Sequence, residues 1–176
     1  HIKEMGWDKD HGGKIDLAKC HYINNGVNLK DYYASIEKDI LKDPDLEDDS
    51  FKVVYTGTVR PVNNVGNLLD TAKLLKDKKD IKFLIFGGGS ELEKLEKRVQ
   101  DEHLDNVIFK GFVEKKYIPY ILSRSSVNVL NYSQANYNWS RGNSSNKLFE
   151  YMASGKPIIS TVKMGYCILD KYQCGL

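Results

Sequence analysis

A polar loop that runs into a short helix carries the clearest chemistry in this chain. Residues 143–159 begin with Asn and Ser, continue as a helical segment that Gly155 ends, and pass through Pro157 into an apolar strand. The start of a helix offers free backbone N–H groups and a partial positive charge, so it can bind a phosphate. One carboxylate, Glu150, follows about a turn further in. This arrangement suits a nucleotide that carries a diphosphate.

The two faces of this helix differ in character. A helical wheel at roughly 100° per residue places Leu148 and Met152 together, where they would face a sheet. Glu150 falls on the opposite side, and Lys147 lies next to it. A polar face therefore runs from the start of the helix into its second turn.

Two interpretations of the polar face stay open from the residues alone. In the first, Glu150 accepts two hydrogen bonds from a ribose diol, while Ser145, Asn146 and their N–H groups bind phosphate. In the second, the helix has an ordinary solvated face and Glu150 is a surface charge. The pattern of residues does not decide between them.

The elements that must position this helix alternate along the chain. Apolar and β-branched runs predict five strands: Phe51–Thr56, Ile81–Phe86, Val107–Gly111, residues 127–132 and residues 157–161. Helical spacing predicts helices over residues 64–79, after a cap at Ser90, and over residues 115–124, with none after the last strand. Such alternation implies right-handed crossovers and a parallel sheet with both faces covered. We therefore expect a doubly wound, Rossmann-like α/β domain.

Four loops follow the carboxyl ends of the predicted strands, where an open α/β sheet binds its ligand. They contain Gly57, Gly87–Gly89, Gly111–Val113 and residues 133–143. Arg60, in the first loop, carries a planar guanidinium that suits phosphate oxygens. The alternative is that the glycines only allow tight turns and that Arg60 is a solvated charge.

The loop of Gly87, Gly88 and Gly89 stands where a dinucleotide-binding fingerprint would stand, between a strand and a helix. The fingerprint is incomplete, because Leu92 occupies the place of its last glycine and no acidic residue follows at the expected distance. NAD binding is therefore disfavoured, although the N–H groups of this loop could still face a phosphate or a sugar.

Composition restricts the class of protein further. Of the 176 residues, 41 % are hydrophobic and 28 % are charged, as in globular domains, and the net charge of +2 gives no reason to expect nucleic acid. No apolar run approaches the roughly 20 residues that cross a bilayer. The three cysteines are odd in number and widely spaced, which predicts free thiols in a reducing compartment.

The first fifty residues differ from the rest, being richer in charge and containing a turn signal at Asn24-Asn25-Gly26. We interpret residues 1–50 as a connector between domains that packs on the core, and residues 51–176 as the nucleotide-binding domain. Because the chain starts without Met and stops soon after a strand, we expect a fragment of a longer protein.

Residues 146–159 resemble the donor-binding signature of glycosyltransferase family 4, and are most similar to bacterial enzymes that build lipopolysaccharide and capsular polysaccharide. Other blocks resemble the family's in the same order: residues 23–27, Gly57 with Asn64, residues 86–89 and residues 106–113. The resemblance covers roughly residues 20–176. It implies one half of a GT-B enzyme, in which two Rossmann-like domains face each other across a cleft and the carboxy-terminal one binds the nucleotide sugar.

The resemblance also implies roles for individual residues. Glu150 would bind the ribose hydroxyls, and Phe112 and Val113 would line the base pocket. Ser145, Asn146 and Lys147 would lie at the diphosphate, with Gly57, Arg60 and Gly88 nearby. The other residues expected to bind the donor are Asn64, Gly87, Gly89 and Ser144. No catalytic residue is assigned to this chain.

For the whole enzyme, the resemblance implies hexosyl transfer with retention to a glycan or lipid-linked acceptor, which the amino-terminal domain would bind. No metal is expected, since basic groups and helix ends would neutralise the diphosphate. The implied location is the cytoplasm, at the inner face of the membrane with peripheral association. The chain alone would bind a nucleotide sugar but not turn it over.

Two departures from the family pattern concern the donor. Many members carry a second Glu eight residues before the one that matches Glu150, and here that position is Gly142. Many also carry a basic pair in the first loop, where this chain has Thr58 and Asn63, with Arg60 as the nearby cation. The alternatives are a nucleotide-sugar epimerase of GT-B architecture, whose Ser-Gly-Gly type of loop is a poor match here, and a binding module without enzymatic activity.

Overall fold

The computed structural model describes residues 2–21, 23, 25–135, 139–140 and 142–176. The predicted turn at Asn24 and the middle of the loop of residues 133–143 lie outside this part of the chain. In the described part, the strands are β1 (Phe51–Thr56), β2 (Ile81–Phe86), β3 (Val107–Gly111), β4 (Val127–Leu130) and β5 (Ile158–Ser160). The helices are α1 (Leu29–Lys38), α2 (Pro44–Glu47), α3 (Gly66–Leu74), α4 (Leu92–Asp101), α5 (Ile118–Ser123), α6 (Asn146–Ala153) and α7 (Ile168–Tyr172). Short 3₁₀ turns span Lys9–His11, Leu17–Lys19, Pro61–Asn63 and Lys115–Tyr117.

All of these strands are parallel and form one sheet in the order β3-β2-β1-β4-β5. The predicted Rossmann-like α/β fold is therefore confirmed. Adjacent residues of β1 lie on opposite faces of the sheet. Val54 belongs to one hydrophobic cluster, with Leu84 and Leu148, and Tyr55 belongs to a second, with Ile85. Because both faces are buried, the strands read as continuous apolar runs in the sequence.

The ends of several elements differ from the predictions. The fourth strand stops at Leu130, because the buried Asn131 turns away and donates from Nδ2 to the carbonyl oxygens of Asn63 (2.8 Å) and Asn64 (2.6 Å). The fifth strand lacks its predicted first and last residues, and the helix expected over residues 64–79 spans only Gly66–Leu74 because Asn64 adopts a left-handed turn (φ 46°). Tertiary contacts, rather than local propensity, set these boundaries.

Two further predictions about helices were wrong. Ser90 does not cap α4, since Glu91 holds the N-cap position and no side chain donates or accepts a capping bond there. A helix does follow the last strand: α7 buries Leu169 against the core. After α7, Gly175 forms an isolated parallel bridge with Ile158, which adds pairing to the outer edge of β5.

Helix α6 forms as its sequence predicts. Its end is set by Gly155, whose left-handed φ of 66° and N–H bond to the Met152 carbonyl oxygen (3.2 Å) terminate the helix. Leu148 is fully buried on the sheet side. The wheel overlooked Tyr151, which is also fully buried and whose hydroxyl accepts from the N–H of Thr56 (2.9 Å). This bond ties α6 to the carboxyl end of β1.

The segment before β1 packs on the helical layer and on the sheet edge. Helix α1 contacts α5, and the Tyr33 hydroxyl donates to the carbonyl oxygen of Ala153 at the end of α6 (3.2 Å). Helix α2 buries Leu46, and Asp45 forms ion pairs with Lys82 and Lys110, both at 2.7 Å. The division into a connector and a domain at residue 50 stays a prediction.

Candidate functional site

The strand order places the site at one edge of the sheet. The chain runs outward from β1 to β3 and then returns to β4 on the other side of β1, so the loops after β1 and β4 diverge at this point. Such a switch point opens a crevice beyond the carboxyl ends of the strands. Here the crevice is a cavity of about 620 Å³. Its lining comes from all four predicted rim loops or their flanks and from α6: Thr56, Gly57, Thr58, Arg60, Asn63, Phe86, Gly87, Gly88, Phe112, Val113, Lys115, Ile118, Tyr132, Ser145, Asn146, Lys147 and Glu150.

The rim loops after β1 and β2 are held together by hydrogen bonds between their backbones. The N–H of Gly57 donates to the carbonyl oxygen of Phe86 (2.9 Å), and the N–H of Val59 donates to that of Gly88 (2.9 Å). A Cβ at Gly87 would lie 1.9 Å from the Gly57 carbonyl oxygen, so no side chain fits between the loops. Gly87 is therefore required for close packing of the loops, beyond any need for a tight turn.

Lys147 reaches from the first turn of α6 to a position beneath Gly57. Its Nζ lies 4.5 Å from the centroid of the Tyr55 ring and 4.8 Å from that of Tyr132, and it donates to the Tyr55 hydroxyl (3.2 Å). A Cβ at Gly57 would lie 3.0 Å from this Nζ, so the glycine makes room for the cation.

No carboxylate among the described residues forms an ion pair with Lys147. Burial, and secondly the charge of Arg60, lowers the pKa of Lys147 to about 7. The aromatic rings provide partial compensation through cation–π attraction, which does not neutralise the charge. A buried amino group held in this way, beside the guanidinium of Arg60, can bind an anion such as a diphosphate when it is protonated.

The start of α6 adds further anion-binding groups to the same cavity. Ser145 holds the N-cap position, yet its side chain makes no capping bond and its buried Oγ has no hydrogen-bond partner among the described residues. In the first turn, the Leu148 N–H donates to the Ser145 carbonyl oxygen (3.1 Å), while those of Asn146 and Lys147 have no acceptor within the helix. Lys147 and Ser145 therefore line the same cavity as the start of α6.

Glu150 lies one turn deeper, with only 15 % of its side chain exposed. Burial raises the pKa of Glu150 above its ordinary value, and the Lys115 amino group, 3.9 Å from Oε1, partly opposes this shift. Lys147 and Glu150 both line the cavity, so Glu150 is not an ordinary solvated surface charge, and its binding of a ribose stays a prediction. Glu150 can accept hydrogen bonds from a ligand there.

The predicted donor-binding residues divide into two sets. Ten of them line the cavity, namely Gly57, Arg60, Gly87, Gly88, Phe112, Val113, Ser145, Asn146, Lys147 and Glu150. Three do not: Asn64 supports Asn131 through its carbonyl oxygen, Gly89 packs against the carbonyl of Val59, and the carbonyl oxygen of Ser144 accepts from Asn25 (2.6 Å). The roles of all thirteen in binding stay predictions.

Sequence reasoning overlooked the residues that hold Lys147 in place. Tyr55 is a buried strand residue whose hydroxyl donates to the Thr58 carbonyl oxygen (2.9 Å) and accepts from Asn63 Nδ2 (2.6 Å). Tyr132 follows β4, far away in the sequence. The sequence shows only that one tyrosine lies near the end of β1 and another follows β4. This does not indicate that both rings lie against the amino group of Lys147.

The position where many family members carry a second Glu has a steric reason to be Gly here. Gly142 adopts a left-handed φ of 82°, and a Cβ at this position would lie 2.3 Å from the carbonyl oxygen of Tyr166. We therefore expect Gly142→Glu to lower the free energy of unfolding by about 3 kcal/mol, from backbone strain and overpacking together. Chemical denaturation of the chain measures this loss.

The matched control is Gly12→Ala, because Gly12 has a similar φ of 87° and a Cβ added there would meet no atom within 4 Å. It isolates the cost of the backbone conformation, about 1 kcal/mol. If Gly142→Glu is no more destabilising than Gly12→Ala, the packing against Tyr166 does not explain the missing carboxylate.

Metal-binding clusters and membrane-spanning helices are both absent from the described residues. No group of three or more His, Cys, Asp or Glu side chains within them is arranged to bind a metal ion. None of the helices in this part of the chain combines the length and the apolar character needed to span a bilayer. The described cysteines, Cys20, Cys167 and Cys174, form no disulfide.

Solved structures with the same fold include glycosyltransferases. WaaG, a glycosyltransferase involved in lipopolysaccharide biosynthesis, aligns with a TM-score of 0.67 and 12 % identity over 94 % of this chain and 44 % of its own. HepE of Anabaena, solved with UDP and glucose, aligns with a TM-score of 0.62 and 20 % identity over 89 % of this chain and 41 % of its own. The C-terminal domain of LpcC, a glycosyl transferase group 1 family protein from Francisella tularensis, aligns with a TM-score of 0.52 and 19 % identity over 84 % of this chain and 70 % of its own.

At these identities the alignments concern the fold, which matches one half of a GT-B glycosyltransferase. This chain spans less than half the length of WaaG and HepE. No curated protein matches it by sequence. The family profile described as "Glycosyl transferases group 1" matches residues 37–169, which is most of the chain. The resemblance in the sequence is thus confirmed, and the chain belongs to the glycosyl transferases group 1 family.

Proposed function

We propose that this chain is the donor-binding half of a glycosyltransferase that takes a hexosyl group from a nucleotide diphosphate sugar. One observation carries the proposal: Lys147 and Arg60, two cations with no carboxylate partner among the described residues, line a single cavity at the switch point together with the start of α6. UDP bound to HepE supports a nucleotide of this type.

The nucleotide would lie across the cavity in a defined direction. Its diphosphate binds Lys147, Arg60, Ser145 and the N–H groups of the first turn of α6. The ribose diol donates to Glu150, one turn deeper in the helix. The base lies on the apolar side of the cavity, where the Phe112 ring is 83 % exposed and free to stack.

The same groups have a role in the reaction. When the sugar leaves, negative charge grows on the diphosphate, and cations and N–H groups that already face it stabilise the transition state. Lys147 and Arg60 would supply this stabilisation, and we expect that no metal is required. Transfer would retain the anomeric configuration.

The acceptor would be a glycan or a lipid-linked glycan, bound by a second domain across the cleft. The assignment to cell-surface polysaccharide synthesis is supported by the similar fold of WaaG. We infer that the enzyme acts in the cytoplasm at the inner face of the membrane. Family membership favours glycosyl transfer over an epimerase or a module without enzymatic activity.

The ribose assignment is tested with Glu150→Ala. Calorimetric titration of the parent chain with UDP-glucose, GDP-mannose and ADP-glucose should show one base preferred. Glu150→Ala should weaken binding of that nucleotide sugar about tenfold or more, because hydrogen bonds to a charged group are lost. Glu114→Ala is the matched control, since Glu114 lies on the same rim with a side chain 62 % exposed and lines neither cavity near Glu150.

Two results would count against the proposal. If none of the three nucleotide sugars binds the parent chain, the cavity is not a donor site. If a nucleotide sugar binds but Glu150→Ala binds it as tightly as the parent does, the ribose is held elsewhere.

A further inference from the structure

A second cavity, of about 480 Å³, lies beside the first and shares part of its wall. Lys115, Asn146 and Glu150 line both cavities. The other walls of the second cavity come from α5 and its preceding turn and from residues 25–35, which precede the sheet in the sequence. Glu150 is therefore accessible from two sides.

Tyr32 of α1 lines this second cavity, and its hydroxyl is buried without a partner. The residue is 4 % exposed, and Oη makes no hydrogen bond to any described residue. Burial, and secondly the negative charge of Glu150, raises the pKa of Tyr32. A buried phenol O–H without an acceptor costs free energy, and such groups are rare in native proteins. The phenol is therefore an unsatisfied donor in the wall of the second cavity.

The position of Tyr32 relative to Glu150 is fixed by contacts at both ends of α6. Asn25 Nδ2 donates to the Ser144 carbonyl oxygen (2.6 Å) and to Asn146 Oδ1 (2.8 Å), just where the helix begins. At its other end, Tyr33 donates to Ala153. The segment that carries Tyr32 is therefore attached to the helix that carries Glu150.

Glu150 and Tyr32 have complementary hydrogen-bonding capacity. An ionised carboxylate only accepts, so it can take the O–H groups of a vicinal diol but leaves the lone pairs of the diol oxygens unpaired. A phenol O–H can donate to one of those oxygens. We propose that Tyr32 is a further donor-binding residue, whose hydroxyl donates to a ribose hydroxyl held by Glu150. This inference rests on the proposed function of the first cavity.

Such a contact would make the site selective for ribonucleotides. The test uses Tyr32→Phe, with Tyr172→Phe as the matched control, because Tyr172 lies on α7, is 59 % exposed and lines neither cavity. Calorimetry measures the dissociation constants of the tightest of UDP, GDP and ADP and of its 2′-deoxy and 3′-deoxy forms. The melting temperature of each variant is measured by thermal denaturation.

We expect Tyr32→Phe to weaken binding of the ribonucleotide about 3- to 10-fold, as for one hydrogen bond. Binding of at least one deoxynucleotide should stay unchanged, so the preference for that hydroxyl shrinks by the same factor. The melting temperature should not fall, since the lost hydroxyl had no partner. Tyr172→Phe should leave the preference intact.

The outcomes separate this inference from the function on which it rests. Suppose that Glu150→Ala weakens binding, but Tyr32→Phe either weakens the binding of the ribonucleotide and of both deoxynucleotides equally or changes none of these affinities. Tyr32 then does not contact the ribose, and only this inference fails. If Glu150→Ala has no effect, the ribose assignment of the first cavity fails as well.

Discussion

Lys147→Met should reduce the affinity of the chain for its nucleotide sugar by about a hundredfold or more, while making the folded chain more stable. Removal of a buried charge that pairs with a ligand charge costs about 2–5 kcal/mol of binding, by analogy with charge pairs in protein interfaces. In the proposed function Lys147 is such a charge, since it lies close to the Tyr55 and Tyr132 rings and no described carboxylate pairs with it. Isothermal calorimetry measures the loss of affinity.

The gain in stability follows from the shifted pKa. A pKa near 7 in place of 10.5 means that folding the charged side chain into this site costs several kcal/mol, and cation–π attraction returns only about 1–2 kcal/mol. Methionine fills a similar volume without charge. We therefore expect the free energy of unfolding near pH 7 to rise by about 1–2 kcal/mol, measured by urea denaturation.

The same shift predicts how the gain and the affinity depend on pH. Between pH 7 and the ordinary pKa of lysine, the unfolded chain binds the proton and the folded chain does not, so this group's contribution to stability rises with pH. The advantage of Lys147→Met should shrink accordingly. Affinity for UDP-glucose, whose diphosphate has no proton that titrates near neutrality, should fall by up to about tenfold per pH unit above 7, because binding requires the charged amine.

Lys156→Met serves as the matched control for both effects. Lys156 follows the same helix, but it lines neither of the two cavities that contain Glu150. It should bind nucleotide sugar as the parent does, with an unchanged pH profile. If Lys147→Met binds the nucleotide sugar as tightly as the parent does, Lys147 does not bind the diphosphate and this part of the proposal is wrong.

The architecture was predictable from the sequence because it depends on local patterns. Continuous apolar runs such as Phe51–Thr56 indicated strands buried on both faces, and the alternation of strands with helices then left a parallel sheet as the simplest arrangement. The ends of elements were less predictable. Whether the fourth strand continues past Leu130 depends on Asn131 reaching the loop after β1, which is a contact between distant residues.

The candidate site shows the same division. Lys147 and Glu150 were recognisable because their type and helical spacing are encoded within one segment. The rings that surround Lys147 were not recognisable, since Tyr55 ends β1 and Tyr132 follows β4, and only the strand order makes those two strands neighbours. The buried hydroxyl of Tyr32 was hidden for a related reason. Its isolation depends on how α1 packs against α5 and α6.

The glycine-rich loop after β2 is where one methyl group should have the largest effect on stability. Gly87 has a left-handed φ of 137°, and its added Cβ would lie 1.9 Å from the Gly57 carbonyl oxygen. Both loops are fixed from other directions as well, because the Gly57 N–H bonds to Phe86 and the Gly87 N–H bonds to Gly111 (2.7 Å). The backbone therefore cannot move aside without loss of these bonds.

We expect Gly87→Ala to lower the free energy of unfolding by about 4 kcal/mol or more, a large part of the roughly 5–15 kcal/mol that stabilises a typical domain. Gly88→Ala is the control from the adjacent position, since a Cβ at Gly88 meets no atom within 4 Å. It should fold as the parent does. Equal stability of the two variants would mean that the loops can separate.

Nucleotide binding by Gly88→Ala then tests what the loop does beyond packing. Gly88 lines the cavity, and its carbonyl oxygen already accepts from Val59, so we expect its contribution to a ligand to come from its N–H group or from the open space beside it. A methyl group there leaves the N–H in place but narrows the cavity. If Gly88→Ala folds normally and binds the nucleotide sugar more weakly, the donor passes directly over this loop, and the glycines serve both packing and ligand approach.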